Sequence, residues 1–238
     1  VGAILRRGVG PSLSLTVPPL PDLVAPDVRS PPLAIPGEPV EVTWVVTNAG
    51  SAPTSGGWAE EVYAAEEPVS SPAVLLGRFY FTNALALGAG LTRTQTVSLP
   101  ATRLAGNVRF SVVVDSAAEV VESVETNNTT WAADPTLVPP TLTLTLPLAS
   151  VSEATASPSL TALIERNGSL SNVLVVALAS SDTNALTVPR TLSIPADQAS
   201  AAFIATVQWD HVPNPDAGVT ITASAPGFTN GVAALRVL

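Results

Sequence analysis

The stretch that decides the fold is VTWVVT, Val42 to Thr47, in which large apolar side chains occupy every second position. The same period of two recurs in TLTLTL (141–146) and in FIATVQ (203–208). Successive side chains of a strand point to opposite faces, so this period predicts strands with one face in a core and the other in water. No stretch shows a convincing helical period of 3.6 residues.

Pro, Gly and Asn clusters separate these short strands, which is typical of an all-β sandwich. The segment DPTLVPP (134–140) is typical of a boundary, because proline cannot donate to a sheet ladder and a Pro-Pro pair favours an extended linker. We therefore expect two tandem immunoglobulin-like antiparallel β-sandwiches. The predicted divisions are an N-terminal arm (1–20), a first sandwich (21–134), a short Pro-rich linker (135–140) and a second sandwich (141–238).

The composition excludes several kinds of chemistry. The chain of 238 residues has no cysteine, one histidine (His211) and only arginine among its ten basic residues. Disulfides, zinc–thiolate sites and lysine Schiff bases are therefore excluded, and a histidine-rich metal site is excluded as well. The formal charge of −9 argues against a nucleic-acid partner. No apolar run approaches the roughly 20 residues that a membrane span needs.

Three stretches of the first predicted sandwich form a distinctive set: PDLV from Pro21, PGEPVEVTWVVTNAGSAPTSGGW from Pro36 to Trp58, and VVVDSAAEVVESVETNN ending at Asn128. In these stretches the chain resembles the CARDB family of bacterial cell-adhesion modules. The resemblance implies an antiparallel β-sandwich that serves as a structural or adhesive unit of large secreted or surface proteins. Trp44 is then expected to fill the space between the two sheets.

The second predicted sandwich contains the stretches ASVSEATASPSLTALIERNG from Ala149 and VTITASAPGFTNGVAALRV from Val219. In these stretches the chain resembles bacterial Calx-beta-like modules. Calcium-sensing members of that family cluster carboxylates at one end of the sandwich. The resemblance therefore implies a calcium site whose ligands would be Glu153, Asp182, Asp210 and Asp216. The alternative is that these side chains cap turns by accepting hydrogen bonds from nearby backbone amides.

The first sandwich has an acidic motif of its own, which ends in two asparagines. Asp115, Glu125 and Asn127 could contribute to a calcium site, since Ca²⁺ takes about six to eight oxygen ligands. The alternative is that Asp115 and Asn127 brace the last hairpin. No other cofactor is expected.

Two further groups carry both a functional and a structural interpretation. Paired carboxylates such as Glu60, Glu61, Glu66 and Glu67 can act as acid and base in glycosidases, but here a solvated strand edge or loop is expected. Exposed rings can stack on sugars, which would suit a carbohydrate-binding module, whereas core positions are the structural interpretation. The aromatic residues concerned are Trp58, Tyr63, Tyr80, Phe81 and Trp131.

No nucleophile, base and orienting group can be named together, so we expect a protein that is not an enzyme. The predicted function is that of an extracellular or cell-surface bacterial structural protein, a spacer or a subunit of an assembly such as a filament. Its partners would be copies of itself or neighbouring modules. The alternatives are a polysaccharide-binding region of a secreted enzyme and a calcium-stiffened linker.

The first residue is valine, no methionine occurs and no signal peptide is evident, so the sequence is expected to be a processed product or a piece of a longer protein. The N-terminal arm is the expected assembly element, because its charge is +2 and the first sandwich is acidic. The residues predicted to dock are Val1, Ile4, Leu5, Arg6 and Arg7.

Overall fold

The structure is a computed structural model that describes residues 18–69, 73–101, 103–152, 159–208 and 216–238. The strands that precede residue 139 are β1 (Leu23–Arg29), β2 (Pro39–Asn48), β3 (Trp58–Glu66), β4 (Val74–Phe81), β5 (Gly90–Ser98), β6 (Gly106–Val114), β7 (Thr129–Trp131) and β8 (Thr136–Val138). They form one sheet with the order β1-β2-β5 and a second with the order β4-β3-β6-β7, in which β8 also pairs with β6.

The core of the first sandwich lies between these two sheets and contains the side chains that the sequence pattern predicted. Val42, Trp44 and Val46 of β2 are buried, whereas Thr43 and Thr47 are partly exposed. Trp58 and Phe110 from the opposite sheet belong to the same cluster. The prediction that Trp44 fills this core is confirmed.

The second sandwich has a separate hydrophobic core. Its strands are β9 (Leu142–Thr145), β10 (Ser150–Val151), β11 (Ser159–Arg166), β12 (Leu174–Ser180), β13 (Leu186–Thr187), β14 (Thr191–Ile194), β15 (Ser200–Val207), β16 (Ala217–Ser224) and β17 (Gly231–Val237). They form sheets with the orders β13-β15-β11-β9 and β10-β17-β16-β12-β14. Leu142, Leu144, Phe203 and Ala205 are buried in this core, as their alternation predicts. The all-β class with two immunoglobulin-like sandwiches is confirmed.

Part of the predicted linker is a strand of the first sandwich. β8 pairs with β6, and a parallel bridge joins Leu137 to Leu33. Thr136 is buried, and its hydroxyl donates to the carbonyl oxygen of Pro31 at 2.7 Å. Alternation explains this strand too, since Thr136 and Val138 are buried while Leu137 is exposed. The limits of the domains stay a prediction.

Within the described ranges, no helix is long and apolar enough to cross a membrane.

Candidate functional site

The carboxylate-rich strand β3 lies in the middle of its sheet, between β4 and β6. The prediction that Glu60 and Glu61 lie on a solvated edge or loop is therefore wrong. Glu60 shares the core face of the strand with Trp58 and Val62, and its exposed fraction is 0%. The sequence did not reveal this burial, because two adjacent glutamates suggest a position exposed to solvent. Only the contacts of the two side chains explain how they are tolerated in a central strand.

Glu60 is stabilised in the core by partners from both sheets. The indole Nε1–H of Trp58 donates to Oε1 at 3.0 Å, and Arg93 Nε on β5 donates to Oε2 at 2.8 Å. The Arg93 guanidinium also lies 5.3 Å from the ring centroid of Phe81. A buried carboxylate is tolerated only when it is paired and hydrogen-bonded, and these contacts meet both conditions.

Glu61 projects from the opposite side of β3 and is held by two side chains. Tyr63 Oη donates to its Oε2 at 2.5 Å, and Arg78 on β4 forms an ion pair with Oε1. Burial raises the pKa of Glu61, but the hydrogen bonds from Tyr63 and Arg78 outweigh it and hold that pKa below its usual value. Glu60 and Glu61 are therefore each bound by their own partners, on opposite faces.

Asp115 organises the loop that follows β6. Its two carboxylate oxygens accept hydrogen bonds from the amides of Glu119 at 2.8 Å and Val120 at 3.0 Å. Its backbone has a φ of +48°, a region that Asp and Asn tolerate better than most residues. These contacts fit the bracing role that the sequence offered as the alternative to calcium binding.

The rest of this loop is fastened to the start of β1 through Glu122. The amide of Leu23 donates to Glu122 Oε1 at 2.8 Å, and Asn128 Nδ2 donates to Oε2 at 2.7 Å. Burial raises the pKa of Glu122 to about 7, and the neighbouring carboxylates of Asp115 and Glu125 add to the rise. A carboxyl group that titrates near neutrality thus joins the first strand of the sandwich to its last loop.

Glu125 and Asn127 also have partners within the protein. Glu125 Oε1 accepts a hydrogen bond from the amide of Glu122, and Asn127 Nδ2 donates to Asp22 Oδ1. Among the described residues, no three histidine, cysteine or acidic side chains come together as a group that could hold a metal ion. The calcium assignment of Asp115, Glu125 and Asn127 stays a prediction.

The calcium ligands expected in the second sandwich are described only in part. Asp182 Oδ1 accepts the amide of Asn184 at 2.9 Å, which is a turn contact, and Asp216 forms an ion pair with Arg236. Glu153 and Asp210 lie outside the described residues. This site also stays a prediction.

The five aromatic side chains that the sequence analysis singled out, all of them described by the structure, do not form a platform of two fully exposed neighbouring rings. Trp58 is buried, and Tyr80 is 55% exposed but lies opposite Ala59, well along the sheet from Tyr63. Tyr63 and Trp131 are only partly exposed, and Ser111 lies between them in the strand register. A carbohydrate-binding surface therefore gains no support from these rings.

Asn167 connects the two sandwiches and is completely buried. Its Nδ2 donates to the carbonyl oxygen of Leu104 in the first sandwich at 2.9 Å and to that of Pro139 at 3.1 Å. Its Oδ1 accepts the amide of Thr141 at 2.6 Å. One amide side chain therefore binds the first sandwich, the connecting segment and the beginning of the second sandwich.

The residues around Asn167 also pack closely between the two sandwiches. A Cβ added to Gly168 would lie 3.0 Å from the Cβ of Ala105, so the two sandwiches approach closely here. On the other side of the chain, the amide of Thr229 donates to the carbonyl oxygen of Pro140 at 2.8 Å. We call this region, Leu104–Ala105, Pro139–Thr141 and Asn167–Gly168, the joint.

Arg166 is a second buried residue that sequence reasoning missed. It is only 2% exposed, and its guanidinium donates to the carbonyl oxygens of Leu170, Asn172, Pro195 and Gln198. Those four carbonyls belong to the loop that follows Asn167 and to the loop between β14 and β15. An arginine directly before Asn-Gly at a strand end was the available signal, but nothing in the sequence shows which carbonyls it binds.

The fold and these contacts define a two-sandwich β protein whose buried charged groups serve packing. The CARDB family model matches residues 20–132, so that part of the predicted resemblance is confirmed. No curated protein matches the chain.

Several solved structures are similar to the chain at low identity. One is the CARDB domain of a Pyrococcus furiosus protein in complex with di-metal ions, with 20% identity, coverage of 52% of this chain and 97% of that one, and a TM-score of 0.39. A second is a solution structure of the same domain, with 21% identity, coverage of 50% and 95%, and a TM-score of 0.36. A glycosyl hydrolase family 2 member from Bacteroides cellulosilyticus has 10% identity and a TM-score of 0.35, with 83% of this chain and 23% of that chain covered.

Proposed function

We propose that the chain is a non-catalytic structural module of a bacterial cell-surface or extracellular protein, in which a CARDB sandwich and a Calx-beta-like sandwich act as one stiff unit. It would serve as a spacer or as a subunit of a surface assembly. The CARDB match supports the adhesion-type class of the first sandwich.

The observation that carries this proposal is the joint. A spacer holds its two ends at a fixed distance only if its modules keep a fixed relative orientation. In a flexible connection, the polar groups of the connecting segment would be exposed to water. Here Asn167 is buried, and all three of its side-chain hydrogen bonds are made to backbone groups of the joint. Satisfied buried polar contacts of this kind favour one arrangement over others, because any other arrangement leaves them unpaired.

The use of the buried charges also supports a structural role. The carboxylate of Glu60 is buried and hydrogen-bonded to Trp58 and Arg93, and the guanidinium of Arg166 is buried and hydrogen-bonded to four carbonyl oxygens. Neither group is therefore available to a substrate. A catalytic group must be within reach of a substrate proton or atom.

The proposal is tested by measuring the distance between the two sandwiches in solution. Because the chain has no cysteine, Glu41→Cys and Thr191→Cys place one spin label on an exposed site of each sandwich. When the labelled chain is diluted with an excess of unlabelled chain, so that only distances within one chain are recorded, double electron–electron resonance is expected to give a single narrow distance distribution. A broad distribution in the otherwise unchanged chain would overturn the stiff-unit proposal.

A matched pair of variants tests whether the joint causes the stiffness. Asn167→Ala removes the three joint hydrogen bonds and is expected to broaden the distance distribution. Asn184→Ala changes an exposed asparagine of the second sandwich and is expected to leave the distribution unchanged. Equal distributions for Asn167→Ala and the parent would show that the joint does not set the geometry.

A further inference from the structure

The strand β5 forms one edge of the β1-β2-β5 sheet, and no described strand pairs with its other side. It is nine residues long and pairs with β2 without a register shift, from Pro39 opposite Ser98 to Thr47 opposite Gly90. Natural sheet edges are usually protected by charges, prolines, bulges or short length. β5 has no proline or bulge, and it is long.

The other long edges of the first sandwich do carry such protection. β1 has a register shift between Val24 and Asp27, a proline at Pro26 and an exposed ion pair between Asp27 and Arg29. β4 has a register shift opposite Val62 and Tyr63 and carries Arg78. The difference singles out β5 as the unprotected edge of this sandwich.

The one charged residue of β5 does not protect its edge either. Arg93 points into the sandwich, where it pairs with Glu60, and its side chain is only 15% exposed. The residues directed to the outer face are Thr92, Thr94 and Thr96, all exposed and uncharged. A neighbouring strand would therefore meet no charge along β5.

The backbone of the same threonines is directed towards the free side. The amide of Asn48 donates to the carbonyl oxygen of Ala89 at 3.1 Å, which fixes the alternation of hydrogen-bonded pairs along β2 and β5. By that alternation Leu91, Arg93, Gln95 and Val97 bond to β2, and the intervening residues offer their N–H and C=O groups outward. By the same alternation, the pair of Pro39 and Ser98 is one that exchanges no hydrogen bonds. This agrees with the assignment, because proline has no N–H to donate to β5.

We propose that β5 pairs with β5 of a second copy of the chain, antiparallel and centred on Thr94, to give a symmetric dimer with a continuous six-stranded sheet. The proposal rests on the structural role inferred above and names the partner that the edge fits. The sequence of β5 is nearly palindromic about Thr94: Thr92 would face Thr96 of the partner subunit, and Leu91 would face the partner's Val97. Arg93 would face the partner's Gln95, so no like charges are opposed and a Thr–Thr pair lies at the centre.

The test uses disulfide trapping in the full chain, which has no cysteine of its own. In the proposed register two copies of Thr94 lie about 5.5 Å apart between Cα atoms, within the range that a disulfide bridges. Thr94→Cys is therefore expected to give a covalent dimer on mild oxidation. Thr92→Cys alone is expected to give none, because its two copies lie roughly 14 Å apart along the strands, at about 3.4 Å per residue over four residues.

A double variant checks the register. A chain with both Thr92→Cys and Thr96→Cys is expected to cross-link as efficiently as Thr94→Cys. In the proposed register, the cysteine at position 92 of one copy lies opposite the cysteine at position 96 of the other. Equal cross-linking of all three variants, or none in any, would overturn the proposal. Cross-linking of Thr94→Cys to a cysteine placed at Leu5 in preference to itself would overturn it as well, because the edge would then bind the N-terminal arm.

Light scattering provides a readout without cysteines. Thr94→Lys opposes two positive charges at the centre of the pairing and is expected to give a monomer, whereas Thr145→Lys, on the exposed edge strand β9, is expected to leave the dimer intact. A dimer that persists in Thr94→Lys would overturn β5 pairing while leaving an assembly role in place. A monomer with a narrow distance distribution between its sandwiches would overturn the pairing and leave the stiff-unit proposal standing.

Discussion

Arg93 on β5 reaches across the first sandwich to Glu60 on β3, with 2.8 Å between Arg93 Nε and Glu60 Oε2. The contact neutralises the buried carboxylate and ties the two sheets together. It also removes the only charge of β5 from the sheet edge. The packing of the core and the character of the surface thus depend on the same ion pair.

Arg93→Met is expected to destabilise the first sandwich strongly. It leaves the carboxylate of Glu60 buried and without its cation, a change that typically costs about 3–5 kcal/mol of the free energy of unfolding. Urea denaturation followed by tryptophan fluorescence measures it. Arg29→Met is the control, because Arg29 and its partner Asp27 are both exposed and loss of a surface ion pair costs about 0–1 kcal/mol. Equal losses in the two variants would contradict the structural importance of the Glu60 contact.

The first sandwich is expected to lose stability as the pH rises through neutrality. The pKa of Glu122 is raised to about 7 in the folded protein from 4.5, so the folded state binds more protons than the unfolded state between these values. The stabilisation is present in full below about pH 4.5 and is lost as the pH rises through about 7. Other groups of the protein titrate in the same range, so the parent is compared with Glu122→Gln. That variant should lack the part of the pH dependence that comes from Glu122.

Thermal unfolding of both proteins between pH 4.5 and 8 provides the measurement. The melting temperature of the parent is expected to fall relative to that of Glu122→Gln as the pH increases. Parallel pH profiles would contradict the raised pKa of Glu122.

Asp115 is expected to stabilise its loop without a metal. Asp115→Ala removes the acceptor for the amides of Glu119 and Val120, which should cost roughly 1–3 kcal/mol of unfolding free energy. Asp115→Asn keeps one acceptor and tolerates the positive φ, so its loss should be smaller. The losses should be equal in calcium and in a chelator. A loss confined to the calcium samples would instead favour the calcium assignment.

Arg166→Lys is expected to weaken the second sandwich although it keeps the charge. The lysine ammonium cannot reproduce the planar guanidinium that binds four carbonyl oxygens, and each lost charged hydrogen bond is worth on the order of 1.5–3 kcal/mol. Arg236→Lys, at an exposed ion pair, is the matched control. Denaturant unfolding should separate the two variants, and equal stability would show that the carbonyl contacts of Arg166 matter little.

The strands of both sandwiches could be predicted because alternation directly reflects which face is buried. Val42, Trp44 and Val46 in one sandwich, and Phe203 and Ala205 in the other, lie in the cores as their spacing indicates. The CARDB resemblance was also readable, since its motifs spread over the whole first sandwich.

The polar contacts could not be predicted, because they join residues far apart in the chain. Glu60 and Arg93 are 33 positions apart, and Asn167 and Leu104 are 63 apart. A carboxylate next to another carboxylate suggests exposure until its partners are known. The same limit applies to the segment 135–140, where three prolines suggested a linker although the segment contains a strand that depends on β6 for its hydrogen bonds.

The central claim is that the two sandwiches form one stiff unit, and ¹⁵N relaxation of the full chain tests it most directly. If the joint holds, backbone amides in both sandwiches report the rotational diffusion of one common body. Two separate correlation times, each appropriate to a single sandwich of about 100 residues, would contradict the claim.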